Sequence, residues 1–376
     1  MRKKKVLHII ENMSDGGAQR VILDYLERKD SLQKYDLEFL SLSTPTNSTY
    51  DKFIKQKHLP FTYLEYKRSN MSFSCMRKVI NWTRRIIASY RFIKERNVDV
   101  LHTHITPIFI NLIVILIMFK GEKFHTMHSD PYRFSKRSVM FFRFVFKYLN
   151  VHPVAVSEAQ CTKAIKRYGL FKCDLLRNSV DIAGIQKCVG DLDKIALRKK
   201  YGLPIKGKII GSVGRLHPVK NYDLLIKIFD SYRKSNLDDI YLVIAGDGPE
   251  FGNLKRLICE LNLENNVFLI GNMEHHEVYE FYKMIDLFML LSRSEASSIV
   301  TLEAQAVGVR CLLSNNIPAD VVYRRNVRRM DLSSGISVWR DAIDDDVFVN
   351  MQVYDKKDND LSTVMERLEK IYDKYL

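Results

Sequence analysis

Ser294-Glu-Ala-Ser-Ser-Ile-Val-Thr-Leu-Glu303 follows the apolar run Leu287–Leu291 and opens into a helical pattern, Ile299–Val307, closed by Gly308. The stretch reads as strand, tight loop, helix. A loop feeding a helix N-terminus offers unpaired backbone N–H groups and the positive end of a dipole, the place where a phosphate settles most readily. Glu303 falls one turn further in, roughly 6 Å beyond Ile299 at ~1.5 Å per residue. That offset suits a nucleotide, with its diphosphate at the helix start and its ribose hydroxyls on the carboxylate. Two such glutamates are, by themselves, ordinary solvated charges. The remainder of the chain decides between the readings.

At 376 residues, with 46% hydrophobic and 27% charged residues, the chain is too long for one ordinary core and predicts two folded domains. The six cysteines, Cys75, Cys161, Cys173, Cys188, Cys259 and Cys311, contain no C-x-x-C pair. Neither a zinc site nor a disulfide framework is indicated, which points to a reducing cytosol. Behind the basic start Met1–Lys5 the apolar stretch is only Val6–Ile10, too short for an export signal. The longest apolar run, Ile108–Phe119, falls short of the ~20 residues a spanning helix needs and reads as a buried core helix. The net charge of +15 is uneven. Residues 1–185 hold 32 Lys and Arg against 16 Asp and Glu, whereas 186–376 hold 27 against 28. The excess points to an anionic partner for the first domain, a membrane surface or nucleic acid.

Taken in order, Val6–Ile10 is a short buried strand, followed by a loop with Gly16-Gly17 and a helix marked by Val21, Ile22, Tyr25 and Leu26. The loop is not G-x-G-x-x-G; its glycines make a turn or allow close backbone approach to a ligand. A strand at Leu37–Leu42, a basic helix over Met76–Asn97 and a strand from Val98 continue an alternation that predicts a parallel sheet. In that helix Met76, Val79, Ile80, Ile86, Ile87 and Ile93 are expected in the core, with Arg77, Lys78, Arg84, Arg85, Arg91 and Lys94 outward. Phe124–Asp130 ends a strand, bringing His125 and His128 to the carboxyl edge where ligands bind in open α/β sheets, with His102 and His104 on a comparable edge. Their spacing matches no common metal-ligand motif. One of them, His128 foremost, is the candidate for substrate contact.

Residues 133–149 interleave Phe134, Phe141, Phe142, Phe144, Phe146 and Tyr148 with Arg133, Lys136, Arg137, Arg143 and Lys147. On a helix Lys136, Arg143 and Lys147 share a side. The pattern suits either interfacial binding to anionic lipid or a core helix with snorkelling cations. No DNA- or RNA-binding motif accompanies the charge, so nucleic acid is set aside. Leu175–Asp181 reads as a further strand ending in a turn, and Asp191 as the cap of a helix over Leu192–Tyr201. The second half repeats the opening logic. Strand Lys208–Val213 leads into Gly214-Arg-Leu-His-Pro-Val-Lys-Asn221 and the helix Tyr222–Tyr232. Arg215 can bracket phosphate oxygens with a planar fork and Lys220 adds a point charge. The strands Ile240–Ala245 and Val267–Ile270 each stop at glycine, and backbone groups of Ile270, Gly271, Asn272 and Met273 are candidates to read a nucleobase.

Together these segments resemble glycosyltransferase family 4, the retaining nucleotide-sugar enzymes of the GT-B fold. The matching residues are Gly16-Gly17, His128 in T-x-H, Val156-Ser157, Asn178-Ser-Val-Asp181, Gly214-Arg215 through Lys220-Asn221, Ala245-Gly-Asp-Gly-Pro249, and Glu295 with Glu303. The region from Asp320, with Arg324, Arg325, Arg328, Arg329 and Trp339, resembles bacterial capsule and exopolysaccharide assembly members. Members usually carry glycine after the first glutamate, where this chain reads Ala296-Ser297-Ser298.

The resemblance implies an α/β architecture of two Rossmann-like, doubly wound parallel-sheet domains facing a cleft. The expected division is an acceptor-side domain over 1–181, a linker over 182–206, a nucleotide-sugar donor domain over 207–355, and a C-terminal helix over 356–376 packing back on the first domain. It further implies Arg215 and Lys220, with Gly16 and Gly17, on the donor diphosphate, and Glu303 on the ribose. Glu295 would orient the donor sugar, His128 would lie near the transferred sugar, and the backbone of Ala296, Ser297, Ser298 and Ile299 would line the donor loop. The implied reaction is retaining transfer from a UDP- or GDP-sugar, without metal, to a growing polysaccharide or lipid-linked saccharide. The setting would be the cytoplasmic face of a membrane, to which Lys136, Arg143 and Lys147 are turned. A sugar-nucleotide epimerase of the same fold and a catalytically silent, membrane-associated nucleotide-sugar-binding protein are the competing readings.

Overall fold

The computed structural model describes residues 2–14, 16–66, 74–104, 109–236, 239–345 and 353–376. Along the chain run β1 (Lys4–Ile10), α1 (Gly17–Glu27), β2 (Tyr35–Ser41), α2 (Thr49–Gln56), β3 (Thr62–Tyr63), α3 (Ser74–Glu95), β4 (Val100–His104), α4 (Phe109–Met118), β5 (Glu122–Met127), α5 (Lys136–Tyr148), β6 (Val151–Ala155), α6 (Glu158–Tyr168) and β7 (Asp174–Leu175). There follow α7 (Ile182–Val189), α8 (Lys194–Lys200), β8 (Lys208–Val213), α9 (Tyr222–Lys234), β9 (Ile240–Ala245), α10 (Phe251–Glu260), β10 (Val267–Leu269), α11 (His275–Met284), β11 (Leu287–Leu290), α12 (Ile299–Val307), β12 (Arg310–Ser314), β13 (Val327–Met330), α13 (Ile336–Asp341) and α14 (Leu361–Asp373). Two compact units result, residues 1–178 with 362–376, and residues 179–361.

The first unit is built on the sheet β3-β2-β1-β4-β5-β6-β7 and the second on β10-β9-β8-β11-β12-β13, with every strand pair parallel. Parallel strands are covered on both faces, so they read as continuous apolar runs, and Leu242, Val243, Ile244, Leu287, Phe288, Met289 and Leu290 are all fully buried. In each sheet the strand order reverses once, between β1 and β4 and between β8 and β11. Crevices at the carboxyl ends of such neighbours are where open α/β sheets bind ligands. Gly16 and the loops of Lys220 and Glu295 follow β1, β8 and β11 at these points.

Several expectations are corrected by packing. Residues 182–206, expected as a linker, carry α7 and α8 and fall within the second unit. Asp193, not Asp191, caps α8, its carboxylate accepting from the Ala196 amide at 2.7 Å. The strand expected over Leu175–Asp181 contracts to the two residues of β7; Asp181 instead caps α7 and Val180 bridges to Asp360. Of the apolar residues assigned to the core face of α3, Ile93 is buried, whereas Met76, Val79 and Ile87 are exposed. Arg85, expected outward, is ion-paired with Glu11 at 2.6 Å. In the run read as a buried helix, Ile108 lies outside the described residues, Ile115 and Leu116 are buried, and Ile117 and Met118 are exposed. No helix among the described residues is long and apolar enough to cross a membrane.

Residues 362–376 complete the first unit. On α14, Val364, Met365, Leu368, Ile371 and Tyr372 are buried, each contributing about 1.5–3 kcal/mol where an aliphatic side chain leaves water. Polar ties surround that stripe. Asp373 accepts from the Tyr35 hydroxyl at 2.8 Å and from Lys34 at 2.6 Å, and the Tyr375 hydroxyl donates to Asp174 at 2.7 Å.

Candidate active site

In the second unit the loops after β8, β9 and β10 are laced together by their backbones. The Gly214 amide donates to Ala245 O at 3.0 Å, Leu216 N to Asp247 O at 2.9 Å, and Gly246 N to Gly271 O at 2.7 Å. Gly246 has φ +140°, and a Cβ there would stand 2.1 Å from Gly214 O, so only glycine permits this approach. The nucleobase candidates Ile270–Met273 follow directly; Ile270 N donates to Ile244 O at 3.1 Å, and Asn272 is exposed.

Beyond Leu216, one 3-10 turn, Pro218–Lys220, delivers Lys220, and Asn221 in the left-handed conformation (φ +60°) starts α9. The Asn221 side-chain Oδ1 accepts two bonds from the Arg293 guanidinium, at 2.9 and 2.7 Å, and Arg293 N donates to Val219 O at 2.7 Å. These contacts seat the loop after β11 on the loop after β8. Across the seam, Lys220 Nζ lies 2.7 Å from Glu295 Oε1, an oxygen that also accepts from Ser292 Oγ at 2.7 Å. Arg215 is exposed and makes no side-chain bond among the described residues.

Glu295 leads into Ala296, Ser297 and Ser298, all buried. Ser298 is the N-cap of α12, yet its hydroxyl pairs with Thr301 Oγ1 at 2.8 Å and not with a first-turn amide. No cap side chain therefore claims the helix-start N–H groups. At its other end α12 closes on Gly308 at φ +99°, as the sequence pattern predicts. Glu303 is 4% exposed. One carboxylate oxygen accepts from the Tyr282 hydroxyl at 3.4 Å and the other stands 3.8 Å from His275 Nε2, which in turn meets the Tyr279 hydroxyl at 2.9 Å. Burial, then the neighbouring Glu303 charge, pushes the Tyr282 hydroxyl well above its usual range. His275 and Tyr282 escaped the sequence reading. Both lie on α11, whose apolar period gave no sign that one edge meets α12.

In the first unit Gly16 is the N-cap of α1, again without a side-chain cap, and Gly17 is the first helical residue. Gln19 turns back over this start, its Nε2 3.2 Å from Ser14 Oγ, and its Oε1 would stand 2.6 Å from any Cβ at position 16. His128 follows β5, with Nε2 3.0 Å from His104 Nδ1. His125 does not join it. Alternation sends His125 to the opposite sheet face, where its Nδ1 meets Thr103 Oγ1 at 2.9 Å and its ring lies 6.0 Å from Phe142.

His8, His102 and His104 offer nitrogens within 4.8 Å of one another, the one metal-type cluster among the described residues. Their nitrogens are already engaged with one another and with Tyr372: His8 Nδ1 lies 2.9 Å from His104 Nε2, and His102 Nδ1 lies 2.7 Å from the Tyr372 hydroxyl.

On α5 the aromatic residues divide. Phe142 and Phe146 enter the core with Val139 and Val145, while Phe144 and Tyr148 are exposed beside Lys136, Arg143, Lys147 and the 70% exposed Met140. The arginines near β13 are structural: Arg329 donates to Ile317 O at 2.6 Å and Asn315 O at 2.8 Å, and Arg328 pairs with Asp345.

Two Rossmann-like parallel sheets, each with an uncapped helix start at its switch point, have the architecture of the GT-B fold. Residues 193–331 match the model of the glycosyl transferases group 1 family. The Bacillus subtilis (strain 168) protein EpsF, named as a glycosyltransferase, is 27% identical over 359 residues, 91% of this chain and 87% of its own length. An Escherichia coli UDP-Gal:alpha-D-GlcNAc-diphosphoundecaprenol alpha-1,3-galactosyltransferase is 24% identical over 400 aligned positions, spanning 100% of this chain and 97% of that protein. The crystal structure of Anabaena HepE in complex with UDP and glucose superposes with a TM-score of 0.76 at 17% identity, covering 98% of this chain and 99% of that one. Residues 193–331 thus carry a glycosyl transferases group 1 domain, and the activity of the chain is glycosyl transfer.

Proposed function

We propose that the chain moves a sugar, with retention, from a UDP- or GDP-sugar to a growing polysaccharide or lipid-linked saccharide, without a metal. The observation that carries this reading is the Lys220–Glu295 pair at 2.7 Å, which joins the loops after β8 and β11 beside the uncapped start of α12. A cation, an exposed Arg215 and free helix amides stabilise the diphosphate charge that develops as the sugar departs. Glu295, held by Lys220 and Ser292, is suited to orient sugar hydroxyls, and Glu303 to accept from the ribose. The named substrates of the E. coli relative, UDP-galactose and a diphosphoundecaprenol-linked saccharide, and the UDP of the HepE complex support the donor and acceptor classes.

Work on the cytoplasmic face of a membrane is part of the same reading. Its support is the exposed side of α5, where Lys136, Arg143 and Lys147 surround Met140, Phe144 and Tyr148, a mixture suited to an anionic lipid interface. The test is nucleotide release from UDP- and GDP-sugars with and without a lipid-linked saccharide acceptor. Acceptor-dependent release lowered by at least about tenfold in Lys220→Ala and Glu303→Ala is the expected result. Unchanged release in both variants sinks the assigned donor site, and donor conversion with no acceptor product would favour an epimerase.

A further inference from the structure

Behind His128 lies an unbroken line of hydrogen bonds. His128 Nε2 meets His104 Nδ1 at 3.0 Å, and His104 Nε2 meets His8 Nδ1 at 2.9 Å. His8 Nε2 meets the Tyr372 hydroxyl at 3.2 Å, the same hydroxyl meets His102 Nδ1 at 2.7 Å, and His102 Nε2 meets Thr126 Oγ1 at 2.7 Å. The sheet explains the line. His8 and His102 are register partners on β1 and β4, His104 pairs with Thr126, and residues two apart on a strand share a face. Tyr372 comes from α14 and closes the gap between His8 and His102.

Burial keeps these rings neutral: His8 and His128 are each pushed down to about 3, and His102 and His104 lie well below the usual histidine range. A neutral imidazole donates at one nitrogen and accepts at the other. The two ring-to-ring bonds therefore force His8, His104 and His128 into one common tautomer, all carrying hydrogen on Nδ1 or all on Nε2. The Tyr372 hydroxyl selects between them, because it donates to His8 in the first case and to His102 in the second. At the far end Thr126 Oγ1 has no other side-chain partner among the described residues. If His102 donated to it, the hydroxyl hydrogen of the buried Thr126 would have no acceptor there; donation from Thr126 to His102 moves the one unpaired hydrogen of the line to Nδ1 of the partly exposed His128.

We infer that Thr126, His102, Tyr372, His8 and His104 are positioning residues that hold His128 as its Nδ1–H tautomer, presenting a fixed hydrogen-bond donor to substrate. The inference about turnover rests on the placement of His128 at the transferred sugar; the tautomer itself does not. The last helix thereby sets the hydrogen-bonding sense of a site residue more than 240 positions earlier.

The experiment is long-range 1H–15N correlation of the histidine-labelled full chain at pH 7.5, paired with donor kinetics. Wild type is expected to give a single Nδ1–H pattern for His128. In Tyr372→Phe, which keeps the ring and removes one oxygen, both tautomers of His128 should appear, with kcat lowered about 3- to 10-fold and KM for the donor changed less than about twofold. Thr126→Val should behave alike and Thr126→Ser should restore both readouts. A single, unchanged His128 tautomer in Tyr372→Phe and Thr126→Val overturns the relay, whatever the rates do. If the tautomer responds but His128→Ala turns over at the wild-type rate, the relay stands and the placement of His128 at the sugar fails.

Discussion

Lys220 and Glu295, 75 residues apart, meet at 2.7 Å across the two loops that leave β8 and β11. Each is about one-sixth exposed, so the pair is screened far less than a surface ion pair. A single contact thus couples the cation proposed for the diphosphate to the carboxylate proposed for the sugar.

That coupling is measurable. Lys220→Ala and Glu295→Gln should each lower kcat/KM by about 10- to 100-fold, as expected when a charge-assisted bond of about 1.5–3 kcal/mol is lost. The double variant should lose less than the product of the two. A cycle in which the losses multiply would show that the two side chains act separately.

Glu303 calls for a different outcome. With Tyr282 and His275 against its carboxylate, Glu303→Gln keeps the shape and weakens acceptance from ribose hydroxyls. Affinity for UDP, measured by calorimetry, should fall about tenfold, while Tyr282→Phe should fall by less than about threefold because only a 3.4 Å bond is removed. Equal UDP affinity in wild type and Glu303→Gln would remove the ribose role.

Acid should unfold the first unit at a mild pH. His8 and His128 are held down to about 3 and His125 to about 4 by burial, so these rings are neutral in the folded state and ionise near 6.5 once unfolded. The stability they contribute is complete above pH 6.5 and is lost as pH falls through 6 and 5, at up to about 1.4 kcal/mol per pH unit for each histidine. Urea midpoints followed from pH 7.5 to 4.5 should drop steeply, and His125→Gln should flatten the slope by one proton's worth. A midpoint constant across that range contradicts the burial of these rings.

Vesicle flotation tests the exposed side of α5. Charge reversal of Lys136, Arg143 and Lys147 should abolish binding to phosphatidylglycerol vesicles at 0.1 M salt, and Phe144→Ser with Met140→Ser should weaken binding that high salt does not. Binding unchanged in the charge-reversed protein rejects the lipid role of this helix.

Much of this architecture is legible in the sequence because parallel strands are apolar throughout. Ile240–Ala245 forms β9 over the residues read from its pattern, and Ile299–Val307 with its Gly308 stop forms α12. Periodicity locates an apolar face without saying what covers it, which is why Met76, Val79 and Ile87 read as core and are exposed. Capping turned on which aspartate reaches an amide, and Asp193 does so, three residues before Ala196. Arg215, Lys220 and the two glutamates were visible as residue types at strand ends. Their pairing was not, since Lys220 with Glu295 and Glu303 with Tyr282 are contacts between elements. The histidine line was least legible of all: two histidines on β4 are readable, but Tyr372 arrives from 270 residues away.

The return of α14 to the first unit has a consequence for biogenesis. Residues 2–178 emerge from the ribosome with the face bearing His8, Tyr35, His102 and Phe124 lacking its Tyr372 cover. At roughly 5–20 residues per second, synthesis of 179–361 occupies on the order of ten to forty seconds before that cover exists. During this interval the second unit, continuous in sequence, can finish folding first. The nascent amino-terminal sheet is then a client for chaperones, and truncation before residue 362 should yield a protein whose second unit is native and whose first is not.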